Sequence, residues 1–323
     1  MVLLIYFAVF FVVVLKPIVL NPVFTVLHHS FHIVLALGIS MSFYRIISRK
    51  NQLEEVISII RSTHKFLGLP PSKDGRFGLL VFISVVVITS AELVHFTHNN
   101  NVPQKMTHAF FSLYTTIGVS ISCQFLWFVN RILECYEGLN KILGREDDPF
   151  PQPNRLVIIQ NDLVRSAELL NDCYSLQLFF VISSVFCSST LMGVVLIRNP
   201  NMYLKISLAA WVIVNITVPV LIIRCCERLE KKAERFNKLL ASCALKDKTE
   251  RLLTNPHITM HFATQKPLKF TACNCFNIDY RLGCSMIAAC VTYLVILVQI
   301  DGSKNTIPTL PLNDTTSTPL TQS

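Results

Sequence analysis

The chain has 323 residues, of which 52% are hydrophobic and only 15% charged, with a net charge of +9. A soluble domain of this size carries nearer a quarter charged residues. The apolar residues here gather in long runs, which excludes a soluble globular protein and indicates a polytopic membrane protein.

Residues 1–15 are apolar throughout but shorter than the ~17 residues usual for a span. Lys16 can snorkel to lengthen them. A signal peptide is not indicated, because no basic start and no small-residue cleavage site is present. This stretch reads as the first of seven helices. Pro17 to Pro22 forms a tight outer turn, and the hydropathy pattern then predicts spans over about 23–43, 77–97, 108–129, 175–197, 203–223 and 282–300. The loop Tyr44–Arg76 has a helical middle with Leu53, Val56, Ile57 and Ile60 on one face.

Two longer connections, 130–174 and 224–281, read as cytosolic helical extensions of the spans. The first carries a stripe of Leu133, Tyr136, Leu139 and Leu143. It is broken by Asp147 to Pro153 and resumes as Leu156, Ile159, Leu163, Ala167 and Leu170. The second carries Leu229, Ala233, Phe236, Leu240 and Cys243, with Glu227–Lys231 and Glu234–Lys238 at the favourable i,i+4 spacing. Apolar stripes must bury somewhere, so these extensions are expected to form a cytosolic bundle where subunits meet. Residues 301–323 are polar and rich in Thr and Pro, and read as a disordered extracellular tail with a glycosylation sequon at Asn313. The expected fold is all-α: seven transmembrane helices over residues 1–300, then that tail.

The positive charge reports topology. With the N-terminus inside, the inner loops hold seven, five and twelve Lys/Arg, whereas the outer side holds Lys16, Lys105, Arg198, Lys205 and Lys304. That asymmetry puts the N-terminus in the cytosol and the C-terminus outside, and it gives no reason to invoke nucleic acid. The orientation is opposite to that of G-protein-coupled receptors; no Asp-Arg-Tyr follows the third helix, and no Asn-Pro-x-x-Tyr lies in the last one. None of the eleven cysteines falls in an outer loop, so structural disulfides are not expected.

Of the twenty acidic residues, Glu92 alone lies inside a predicted span, and an intramembrane carboxylate is functional by default. His95 follows on the same face. His28, His29 and His32 occupy the outer half of the second helix. His108, Tyr114, Thr115, Thr116, Trp211 and Asn215 lie at similar depth. Three readings compete: internally paired interfacial groups, the walls of an outward-facing pocket for a small molecule, or metal or haem ligands. The last is the least supported, since the histidines lack the facing pairs of membrane cytochromes, and the cytosolic His257 and His261 are too few for a desaturase. No nucleophilic triad or phosphate loop is visible, so no catalytic residues and no cofactor are assigned.

Leu282 to Ile300 carries no charge and spans about 28 Å as a helix. Ser285, Ala289, Thr292, Ile296 and Gln299 fall on one small or polar stripe. Small residues favour helix packing, and a polar stripe also suits a pore lining.

The pattern FxIDxxLxxS followed by TYLVILVQ resembles the C-terminal signature of insect gustatory receptors. Phe276, Ile278, Asp279, Leu282, Ser285, Thr292, Tyr293 and Gln299 stand in register with it. The signature usually ends Gln-Phe, and Ile300 replaces the Phe. The resemblance implies a ligand-gated cation channel in the plasma membrane. It would be a tetramer, alone or with related receptors, with the last helix lining the pore. Thr292, Ile296, Gln299 and Ile300 would then form the pore and gate. His32, Glu92, His95, Tyr114, Thr115 and Trp211 would lie near a pocket for a bitter compound or sugar. The resemblance also implies a cytosolic segment before the first helix. Its absence here raises an incomplete gene model as one reading. Alternatives from other classes are a transporter or redox enzyme built on the His/Glu cluster, or a metabotropic receptor.

Overall fold

The computed structural model describes residues 37–69, 83, 102–144, 153–198, 202–246, 252 and 254–304. The predicted span 1–15, all of 77–97 but Ile83, most of 23–43, and the tail beyond residue 304 fall outside the described residues. Residues 37–48 are helical and lead into α1 (Lys50–Leu67). There follow α2 (Val102–Leu143), α3 (Pro153–Arg198), α4 (Met202–Lys246), α5 (Pro256–Thr264), a two-residue pair of strands β1 (Thr271–Ala272) and β2 (Phe276–Asn277), and α6 (Tyr280–Lys304).

The three long helices have 42, 46 and 45 residues. At 1.5 Å per residue they reach about 63–69 Å, roughly twice a bilayer core. Each therefore carries an apolar half and an amphipathic half in one uninterrupted rod. Within the described residues, Thr116–Leu143 and Asn154–Cys187 are long and apolar enough to cross a membrane. Pro219 sits inside α4 and removes the N–H that would bond the Asn215 carbonyl, yet the helix continues to Lys246.

The amphipathic halves form the core. Leu133, Tyr136, Leu139 and Leu143 of α2, Leu156, Leu163, Ala167 and Leu170 of α3, and Leu229, Ala233, Phe236 and Leu240 of α4 are all buried in one cluster. α2 packs most extensively on α4, and α3 touches α1, α2, α4, α5, β1 and α6. The stripes face one another within the chain, so the bundle closes its own apolar core. At the centre, Phe125 of α2 lies 5.5 Å from the Tyr174 ring of α3 and 6.2 Å from Phe270.

Two further boundaries change. The stretch 224–281 is not one helical extension. Asn255 accepts the His257 N–H and starts α5 with Pro256 in its first turn, and the β-hairpin follows. α6 runs on to Lys304, so residues 301–304 belong to the helix and not to the tail.

Gly38 allows the segment 37–48 to lie directly against α3. A Cβ there would overlap the Phe180 ring. Gly38→Val is expected to cost about 1–3 kcal/mol through overpacking, read as a lower melting midpoint of the detergent-solubilised protein.

Two histidines tie the amphipathic elements together. His64 Nε2 lies 3.8 Å from Glu134, whose other contacts are Arg131 at 2.9 Å and Asn130 at 3.2 Å. His261 of α5 is wedged between Asn161 of α3, 3.2 Å from Nδ1, and Asn237 of α4, 3.4 Å from Nε2. A neutral imidazole donates through one nitrogen and accepts through the other, so one of these amides must turn its nitrogen inward. Burial holds the pKa of both rings below the usual 6.5, the nearby Glu134 opposing this at His64. A depressed histidine binds fewer protons folded than unfolded, so its stabilisation is complete above pH 6.5 and declines as pH falls toward the folded value. The melting midpoint is expected to drop between pH 7.5 and 5.5. A His64→Gln, His261→Asn double variant should show a flatter profile.

Candidate functional site: the entry and free face of the last helix

The signature residues stand where the chain enters α6. β1 and β2 pair antiparallel, Thr271 with Asn277 and Ala272 with Phe276. Their turn places Cys273 and Asn274 at φ 51° and 57°, and the Cys275 N–H donates to the Ala272 carbonyl at 2.9 Å. Two successive left-handed residues match the natural twist of a hairpin. The base is closed by the Ile278 N–H donating to the Phe270 carbonyl at 2.9 Å.

Each signature residue here has a physical task. The Phe276 ring stacks on Phe179 of α3, with centroids 5.9 Å apart and planes at 28°. Ile278 is fully buried. Asp279 caps α6, its Oδ1 accepting the Leu282 N–H at 2.9 Å, and its negative charge suits a helix N-terminus. Asn171 of α3 fixes the hairpin from the side, accepting the Thr271 N–H at 3.0 Å and donating to the Thr271 hydroxyl at 3.3 Å.

α4 holds the same segment with two carboxylates. Glu230 accepts the Phe270 N–H at 3.1 Å, and Glu227 accepts the Tyr280 N–H at 3.3 Å. Lys231 pairs with Glu227 at 2.8 Å and lies 5.7 Å above the Tyr280 ring. A cleft of about 570 Å³ opens beside them, with Gln160, Lys266, Asp279 and Arg281 also in its walls. Burial pushes the Glu230 carboxyl above its ordinary value; the Phe270 N–H opposes this, and Glu227 and Asp279 add to it.

Further along α6 one side is attached. Cys290 Sγ lies 3.6 Å from the Thr190 hydroxyl, and the Tyr293 ring meets the Phe186 edge at 6.0 Å. Leu294 fills the space over Gly193 of α3. The opposite side is left open by the described residues. Ser285, Thr292, Ile296 and Gln299 are exposed, Ala289 is half-covered, and Ile287, Val291 and Val295 are exposed beside them. The Ser285 and Thr292 hydroxyls donate to the carbonyls of Arg281 and Ala288 in their own helix. That leaves their oxygens facing out as acceptors.

Ile300 lies on the α6 backbone. Of the expected pocket residues, Tyr114 and Thr115 fall on α2 and Trp211 on α4, two helices that pack together. His32, Glu92, His95 and Asn313 lie outside the described residues. Among the described residues, no cluster of three or more His, Cys, Asp or Glu is arranged to hold a metal ion. Glu227, read from sequence only as the partner of Lys231, and Glu230 and Asn171, not singled out there, emerge as anchors of the α6 entry. Their only sequence signal was a carboxylate or amide on an amphipathic helix, which names no partner.

Residues 1–303 match the family described as 7tm chemosensory receptors. The chain belongs to the 7tm chemosensory receptor family. Its likeness to a Drosophila melanogaster protein carrying the name "Putative gustatory receptor 22d" is 22% identity over 208 residues, which is 61% of this chain and 52% of that one. The chain therefore matches about half the length of this curated relative. Its fold is similar to the insect olfactory receptor OR5 from Machilis hrabei, with a TM-score of 0.63 at 13% identity, covering 87% of this chain and 83% of that one. OR5 in complex with eugenol gives 0.59 at 13% identity over 92% and 86%. This 7tm chemosensory receptor is thus an all-α membrane protein of the insect chemoreceptor type.

Proposed function

We propose that this receptor is a subunit of a tastant-gated, nonselective cation channel in the plasma membrane, with α6 lining the pore. The observation that carries the reading is the two-sidedness of α6. One side is locked to α3 and α4, while the other leaves Ser285, Thr292, Ile296 and Gln299 exposed among the described residues. Several such helices around an axis, four in the tetramer we favour, would line a pathway with outward oxygens and an isoleucine ring, the ingredients of a cation pore with an apolar gate. Seven spans, with the N-terminus in the cytosol, accord with the excess of Lys and Arg in the inner loops.

Ligand would act in the outer half, among the helices that carry Tyr114, Thr115 and Trp211. It would favour the open state by binding it more tightly than the closed one. The test is whole-cell current from this chain expressed alone, against sugars, bitter compounds and eugenol. A ligand-evoked cation current that persists when G-protein signalling is blocked supports the reading. A response that disappears with that block overturns it in favour of a metabotropic receptor. Tags at the two ends, probed on intact cells, should show only the C-terminal tag.

A further inference from the structure

The segment from Phe270 to Tyr280 joins the inner bundle to α6, and α4 grips both its ends. Phe270 immediately precedes β1, and Tyr280 is the first residue of α6. Their backbone N–H groups are bonded by Glu230 and Glu227, which lie three residues apart and so on one face of α4. Neither donor has a partner in regular structure. The first N–H groups of a helix are left over by its geometry, and here Glu227 from another helix takes one while Asp279 takes another. Between the grips the hairpin is fixed to α3 by Asn171, and Phe270, Ala272 and Ile278 are buried.

We propose that Glu227 and Glu230 are positioning residues that make the inner end of the last helix follow α4. Because α4 is one helix from Met202 to Lys246, a shift at its other end reaches the carboxylates and then the first turn of α6. The charged groups around the pair are Lys231 on α4, Lys269 and Asp279 on the joining segment, and Lys266 and Arg281 in the cleft wall. Lys231 keeps Glu227 paired while it accepts the Tyr280 N–H, so the grip at that end is an ion pair and a hydrogen bond together.

The grip itself needs no channel. Its effect on opening rests on the channel reading, so the two are measured separately. Hydrogen exchange of the full-length detergent-solubilised protein is compared for wild type, the Glu227→Ala, Glu230→Ala double variant, and the Glu227→Gln, Glu230→Gln double variant. In the alanine variant, amides in a peptide covering 268–284 are expected to exchange about tenfold faster, the scale of one lost charge-assisted hydrogen bond. Core peptides covering 132–143 and 163–170 should not change. Glutamine keeps a carbonyl acceptor and should restore most of the protection, which a general loss of packing would not allow. If the alanine variant does not fold, the glutamine pair is compared with the single variants.

Unchanged exchange at 268–284 overturns the grip. Faster exchange with an unchanged half-maximal ligand concentration overturns the coupling, whereas a shift of about fivefold or more supports it. If wild type gives no evoked current, the channel reading fails, and the exchange result still decides the grip.

Discussion

Replacing Phe125 by alanine is expected to cost about 3–5 kcal/mol and to leave little folded receptor at the cell surface. The side chain is fully buried, and its ring is the meeting point of three elements, with Tyr174 of α3 on one side and Phe270 of the joining segment on the other. Truncation removes the ring from water-excluded packing and leaves a cavity that three separate elements would have to collapse into. They are held apart by the surrounding stripes, so relaxation should be small and the cost near the upper end of the range. The neighbouring Tyr174→Phe gives the contrast. Its hydroxyl is buried and has no hydrogen-bond partner among the described residues, so losing it should be neutral or mildly stabilising. The measurement is surface expression together with the melting midpoint in detergent. An alanine variant that melts like wild type would show that Phe125 is not at the centre of the core.

Ile296→Ala is expected to produce a standing current without ligand. Ile296 is 42% exposed, on the side of α6 that the other described residues leave open. A ring of isoleucines at a narrow point excludes water, and an apolar constriction that is dry does not pass ions. Shortening each side chain widens the ring and admits water in the resting state. Gln299→Ala removes an amide carbonyl from the same side and should change relative cation permeability while leaving the resting current low. The two variants thus separate a gate from a selectivity element. If both match wild type in resting current and reversal potential, α6 does not line the pathway.

Much of the amphipathic bundle was legible in the sequence. The stripes around Leu133, Leu163 and Phe236 have helical periodicity, and all are buried. The pairs Glu227–Lys231 and Glu234–Lys238 form as their spacing implies, at 2.8 Å and 2.6 Å. The sequence did not say what the stripes face, because periodicity marks a buried side and names no neighbour. The partners of each stripe, here the other helices of the same chain, follow only from the packing. The hairpin was also not legible. Its strands have two residues each, too short for any alternation, and its turn uses Cys273 and Asn274 where a glycine would have announced it. The signature Asp279 could be located by resemblance, but its role as a cap follows only from the distance to the Leu282 N–H.

The length of α3 has a mechanical meaning. A helix of 46 residues is a rod about 69 Å long, and it touches every other packed helix of the described chain as well as the hairpin. A tilt of only about 5° at one end displaces the other by about 6 Å, more than half the usual 8–10 Å spacing between packed helices. On the channel reading proposed above, a small molecule that tightens its surroundings by a fraction of an ångström would be amplified, through leverage alone, into a movement of the size that opening a pathway for ions needs. No helix has to melt or break for that to happen.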